Sequence, residues 1–236
     1  TRFPLLNERA ANTGPILGDF FAIKRGIATG ANSFFVLSRE EIERKSLPLS
    51  QFRPILPSPR YLDKTEIMAD KNGIPSIDKQ LFVLDCKLPL AEIKNHFPEL
   101  FSYLQQGISD GVSERYLCKK RKTWYSQEVR PESRFYCTYI GRPSGHNKKP
   151  FRFILNHSKA IVSNSYLILY PKPSIAKAIE NNSKLCGMVL KALNQITDNA
   201  ILEEGRVYGG GMHKIEPKEL TRVPAGELAT LISGHE

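Results

Sequence analysis

The run Lys119-Lys120-Arg121-Lys122-Thr123-Trp124-Tyr125 sets four consecutive cations beside two aromatic rings. Cations at that density neutralise phosphates, while aromatic faces stack on bases or bury against sugars. A solvated helix end is the plain alternative for the four cations, and core packing is the better reading of Trp124 taken alone. A second group, Gly141-Arg142-Pro143-Ser144-Gly145-His146-Asn147-Lys148-Lys149, is a polar loop between strand-like runs. Arg142, His146, Asn147, Lys148 and Lys149 are of the types that bond guanine and adenine edges in the major groove. The alternative is an exposed connection without a partner. Gly209-Gly210-Gly211 offers successive backbone N–H groups as an anion nest, with donors from His213 and Lys214. A fourth candidate lies between Gly18 and Leu37. There Gly26 and Gly30 permit close backbone approach, and Lys24, Arg25, Thr29 and Asn32 supply donors to a polyanion or a base edge. A solvated turn is the competing reading of that loop.

Few residues of the chain form a catalytic pattern. The chain has no Pro-Pro dipeptide, hence no Asn-Pro-Pro-Tyr or Asp-Pro-Pro-Tyr loop, and no Gly-x-Gly-x-x-Gly after a strand. Methyl transfer with a bound cofactor is therefore not expected within these residues alone. The phosphate loop Gly-x-x-x-x-Gly-Lys-Ser/Thr is absent, which removes support for nucleotide hydrolysis. Five histidines form no His-Glu-x-x-His and no pair at helical spacing, so no metal site is predicted. Asp78 with Glu92-Ile93-Lys94 imitates the acid and Glu-x-Lys spacing of metal-dependent nucleases, a pattern that also recurs by chance in charged chains.

The charge balance narrows the partner. The chain of 236 residues carries a formal charge of +10. Between Glu114 and Lys159 stand twelve Lys and Arg against three Glu, a net of +9, so the excess is concentrated in about a fifth of the sequence. A field localised in that way steers and holds phosphates. Cys86, Cys118, Cys137 and Cys186 lie far apart without a Cys-x-x-Cys pair, and they read as reduced thiols of a cytoplasmic protein. The longest apolar stretch, Ala160 to Tyr170, is interrupted by Ser163-Asn164-Ser165 and is too short to span a bilayer, so no membrane partner is expected. The chain begins at Thr1 rather than Met, and the expectation is a piece of something longer, with residues 1–17 leading in from a preceding domain.

The elements that must position these groups alternate irregularly, which predicts an α+β (mixed α/β) fold, rich in β-hairpins with peripheral helices, over residues 18–236. Phe20, Phe21 and Ile23, then Phe34 to Leu37, suit two strands joined by the Gly26–Asn32 loop as a rigid hairpin. Ser38 with Glu41 forms a capping box for a helix through Arg44. Pro48, Pro54, Pro57 and Pro59 limit the next segment to short turns before it becomes extended. Gln80 to Cys86 reads as a buried strand, and Leu90 to Leu117 as helices starting a first turn at Pro98 and broken near Gly107 and Gly111. Strand-like runs follow at Phe135 to Ile140, Phe151 to Leu155, Ala160 to Val162 and Tyr166 to Tyr170. Helices are predicted at Ser174 to Asn181, Ser183 to Thr197 and Ala225 to Leu231.

Taken together, these motifs carry a resemblance. Arg25-Gly26-Ile27-Ala28-Thr29-Gly30-Ala31-Asn32 with Phe34-Phe35-Val36-Leu37 is followed far downstream by Trp124-Tyr125, Asn156 and Gly209-Gly210-Gly211-Met212-His213-Lys214-Ile215-Glu216-Pro217-Lys218-Glu219-Leu220. In that order they resemble the C-terminal target recognition domain of TaqI-like adenine-specific DNA methyltransferases of restriction–modification systems, over most of Gly18 to Val223. The resemblance implies a preceding domain that binds S-adenosylmethionine and methylates a flipped adenine, while this domain selects the site and grips double-stranded DNA. The catalytic domain is missing from these residues, so no catalytic or cofactor-binding residue is carried over and no cofactor is expected on this chain. The remaining alternatives are a metal-dependent endonuclease domain and a structural RNA-binding module.

Overall fold

A computed structural model describes residues 14–141, 149–182, 184–208 and 211–234. It has both helices and sheets, as an α+β chain should. The residues divide into two compact units. An internal unit comprises Lys24–Ile140 and Phe151–Leu169, and a terminal unit comprises Thr1–Ile23, Gly141–Pro150 and Tyr170–Glu236.

In the internal unit, strand Phe135–Thr138 is antiparallel to Phe153–Asn156 on one side and to Tyr166–Pro171 on the other. Phe135 thus faces both Leu155 and Leu169, and the short strand Glu66–Ile67 runs parallel to Phe153–Asn156. All four residues of each of the first two strands are buried. Continuous apolar runs of this kind mark strands covered on both faces. Ala160 to Val162, expected as a strand, forms only an isolated bridge, Ile55 with Ile161.

The second sheet orders Val36–Ser38, Leu81–Leu84 and Phe52–Ile55, all antiparallel. Pro54 is tolerated because its strand is the edge, where a missing N–H costs no ladder bond. Phe82, Val83 and Leu84 join Phe34, Phe35, Ile93, Leu100, Leu104 and Tyr125 in one buried cluster. Helix Leu90–His96 and helix Pro98–Ser109 lie over it, the latter with Pro98 at its first turn. The predicted break at Gly107 does not occur. A Cβ there would lie 2.6 Å from the Phe34 ring and 2.8 Å from the Trp124 ring, so Gly107 permits close approach and the helix runs on. Its end comes at Gly111, with φ of +71°. Ser38 caps helix Arg39–Arg44 as expected, its Oγ accepting from Glu41 N while Glu41 Oε2 accepts from Ser38 N.

The hairpin expected over Phe20–Leu37 is not formed. Phe21–Arg25 belongs to the sheet of Tyr166–Pro171, whereas Val36–Ser38 pairs with Leu81–Leu84 in the other sheet. Between them lies a short helix, Asn32–Phe35, and the loop before it bonds a third segment: Gly26 N to Tyr166 O, Ile27 N to Val162 O, and Asn164 N to Ile27 O. The strand residues flanking the loop were legible; the partners that claim their backbone groups are distant in sequence, Val83 for Val36 and Tyr166 for Gly26.

In the terminal unit, helices Pro173–Asn181 and Leu185–Gln195 pack with helix Gly226–Ser233. Leu17–Phe20 is a helical turn whose Leu17 and Gly18 N–H groups bond Val223 and Thr221 carbonyls. Helix Asp198–Glu204 leads into a hairpin of Arg206–Tyr208 with Met212–Lys214, paired Val207 to His213. No described helix is long and apolar enough to cross a membrane. All four cysteines are buried free thiols.

Candidate nucleic-acid interface

The loop from Gly26 to Asn32 is an internal joint. Thr29 is 1% exposed; its hydroxyl donates to Asn32 Oδ1 at 2.5 Å and accepts from Ala31 N at 3.2 Å. Asn32 is exposed, but its amide oxygen serves this bond. Gly26 approaches the backbone so closely that a Cβ would lie 2.2 Å from Ser163 O. Arg25 lays its guanidinium 4.1 Å from the Tyr139 ring centroid, with a longer bond to Asn164 O. Lys24 is exposed.

Cations close the loop through its carbonyls. Arg121 Nη2 donates to Ala28 O at 2.8 Å and Thr29 O at 2.7 Å, and the guanidinium lies 5.4 Å from the Phe35 ring centroid. Burial lowers the Arg121 pKa, the cost of desolvating a charge, which two carbonyl acceptors and a ring face offset. Arg115 Nη1 adds a bond to Gly30 O at 3.3 Å. Trp124 packs 5.6 Å from Phe34 and from Tyr125, and Tyr125 is buried with its hydroxyl donating to Leu88 O at 2.6 Å. Gln127 completes the seam through Leu84 O.

The basic run therefore splits by role. Arg121, Trp124 and Tyr125 face inward, so their side chains hold the fold; for Arg121 and Tyr125 this differs from the contact expected from residue type. Lys119, Lys120 and Lys122 are exposed. Lys119 reaches Glu114 at 2.6 Å, a surface pair that contributes little. Lys120 Nζ stands 5.6 Å from the ring of Tyr116, a residue that reading the sequence for cation runs overlooked. The available signal was its position four residues before Lys120 in a helical turn, Tyr116–Lys119.

The other candidates belong to the terminal unit. Lys149 is exposed and donates to Asn194 O at 3.0 Å. Gly211 has φ of +70° and is exposed. His213 and Lys214 are half-buried on the hairpin, and Lys214 Nζ pairs with Glu216 at 2.8 Å. Arg206 of the same hairpin is bound by Glu219, which holds its pKa up. Arg142, His146, Asn147, Lys148 and Gly210 lie outside the described residues. Among the described residues no group of three or more His, Cys, Asp or Glu is placed to hold a metal ion.

Comparison with known proteins adds context. The chain is 24% identical over 219 residues to the type II methyltransferase M.XamI of Xanthomonas campestris pv. amaranthicola, covering 91% of this chain and 37% of that protein. It is 23% identical over 202 residues to the type II methyltransferase M.AccI of Acinetobacter calcoaceticus, covering 85% of this chain and 34% of that protein. It thus spans little more than a third of the length of either relative. Among solved structures it resembles the Type IIL restriction-modification enzyme MmeI, in complex with DNA, with a TM-score of 0.46 and 13% identity over 98% of this chain and 34% of that one. The family model of the C-terminal domain of type II methyltransferase M.Eco57I matches residues 4–234, and the chain belongs to that family of C-terminal methyltransferase domains.

Proposed function

We propose that this chain is the double-stranded DNA recognition domain of a type II restriction–modification, adenine-specific DNA methyltransferase. An N-terminal catalytic domain of the same polypeptide would bind S-adenosylmethionine and perform the methyl transfer. None of the residues described here is assigned to the methyl donor, in keeping with the missing cofactor motifs. The observation that carries the reading is the divided basic run. Arg121 is spent on the fold, and it pins a turn from which Lys119, Lys120 and Lys122 stand exposed within a segment of net +9. Such fixed, exposed cations supply the salt-dependent and sequence-blind part of DNA affinity. Lys24, Lys149 and Lys214, with the Gly210 and Gly211 backbone, are assigned further phosphate contacts. Arg142, His146 and Asn147 are assigned base readout on residue type. The gripped duplex would stay in register while the target base leaves the stack, a step costing a few kcal/mol.

The test is a binding titration on duplex DNA at several salt concentrations. Lys120→Ala is expected to weaken binding to all sequences and to lower the salt slope by about 1. Arg142→Ala is expected to relax sequence choice, and equal losses on cognate and random duplexes would remove Arg142 from base readout. Preference for folded RNA over duplex DNA, or magnesium-dependent cleavage lost in Glu92→Ala, would overturn the whole reading.

A further inference from the structure

We propose that Tyr116 is a DNA-stacking side chain, laying its ring against a sugar or base step of the duplex whose phosphates Lys119, Lys120 and Lys122 hold. This rests on the proposed DNA-recognition role. Tyr116 is 74% exposed, the most exposed large apolar side chain among the described residues, and the neighbouring Leu117 is 38% exposed. An exposed ring is ordinary on a loose loop, but this one stands on a built seat. Cys118, two residues on, is fully buried, Arg115 bonds Gly30 O, and Arg121 bonds Ala28 O and Thr29 O. Gly30, with φ of +82°, lets Leu117 come down onto the loop; a Cβ at Gly30 would meet Leu117 Cβ at 3.1 Å. The turn's backbone is thus fixed from both sides, so binding costs little further backbone ordering there.

The surroundings select the partner. Lys120 Nζ lies 5.6 Å from the ring centroid, and the exposed Lys119 and Lys122 flank Lys120 within three residues in sequence. An apolar protein surface would have to desolvate the Lys120 ammonium beside the ring at a cost that the ring face offsets only in part. Nucleic acid phosphates neutralise the cations and release counterions, while an aromatic face beside them packs on the sugars between phosphates or enters a base step as a wedge that partly unstacks it. Stacking is tolerant of sequence, so Tyr116 adds affinity rather than choice.

The experiment uses the full chain and a labelled random-sequence duplex, with binding measured by anisotropy across a salt series and folding by urea titration. Tyr116→Ala is expected to weaken binding roughly ten-fold with an unchanged salt slope, and Tyr116→Phe to bind within about two-fold of the parent. Both variants are expected to keep the parent urea midpoint. Lys120→Ala serves as the contrast, lowering the slope. Parental affinity in Tyr116→Ala, equal losses in the Phe and Ala variants, or a lowered urea midpoint would each overturn the stacking role while leaving duplex binding intact. Failure of the parent chain to bind any duplex would instead overturn the DNA-recognition reading, and the stacking role with it.

Discussion

Replacing Arg121 by alanine separates the two roles open to a cation in the basic run. If Arg121 holds the fold, the loss is one of stability, because Ala28 O and Thr29 O lose their charged donor at 2.8 and 2.7 Å. Hydrogen bonds to a charged group contribute about 1.5–3 kcal/mol each, and stacking over the Phe35 ring adds about 0.5–1 kcal/mol. Against this stand the desolvation that lowers the Arg121 pKa and about 2 kcal/mol of side-chain entropy. The net loss expected for Arg121→Ala is about 2–4 kcal/mol, which at a urea slope of about 2–3 kcal/mol per molar moves the midpoint down by roughly 1 M. Lys120→Ala, at an exposed site, should stay within about 0.5 kcal/mol of the parent. Urea unfolding followed by circular dichroism reads both. A parental midpoint for Arg121→Ala, combined with a DNA-binding loss like that of Lys120→Ala, would refute the assignment of Arg121 to the interior.

Three further outcomes follow from the packing. Gly26→Ala places a Cβ 2.2 Å from Ser163 O and 2.5 Å from Val162 O, both backbone atoms, so overpacking of about 3 kcal/mol or more should lower the melting temperature by roughly 6–12 °C; an unchanged melt would contradict the close approach. Tyr125→Phe leaves Leu88 O without its donor at 2.6 Å and should cost about 1–2 kcal/mol in urea unfolding, with no change in DNA salt slope. Burial pushes the Tyr103 phenol up to about 12 and raises Tyr125 and Tyr166 as well. The unfolded chain releases these protons near pH 10, so stability is full below about 10 and falls as pH rises above it. Tyr103→Phe should make that fall shallower, and a flat urea midpoint from pH 9 to about 12 would sink the argument.

Much of the local structure could be read from residue order. The Ser38 and Glu41 capping box, Pro98 in a first helical turn, and the apolar runs at Phe135 and Tyr166 act through neighbours a few residues away. So does the concentration of cations between Glu114 and Lys159, which is a property of composition. The glycines were legible only in part. The close approach at Gly26 was read from sequence but its partner, Ser163, was not, and Gly107 looked like a helix break and instead admits the Phe34 and Trp124 rings.

The candidate interface shows the same division. By itself the sequence determined that a strongly basic, aromatic-bearing segment exists and that the chain has neither an Asn/Asp-Pro-Pro-Tyr loop nor a Gly-x-Gly-x-x-Gly motif. Only the tertiary structure decided which cations face out. Arg121 and Lys120 are adjacent and of like charge, yet one meets carbonyls presented by a loop about 90 residues earlier and the other meets solvent. That choice is made by where distant backbone acceptors converge, and a buried carbonyl must find a donor wherever the chain brings one near.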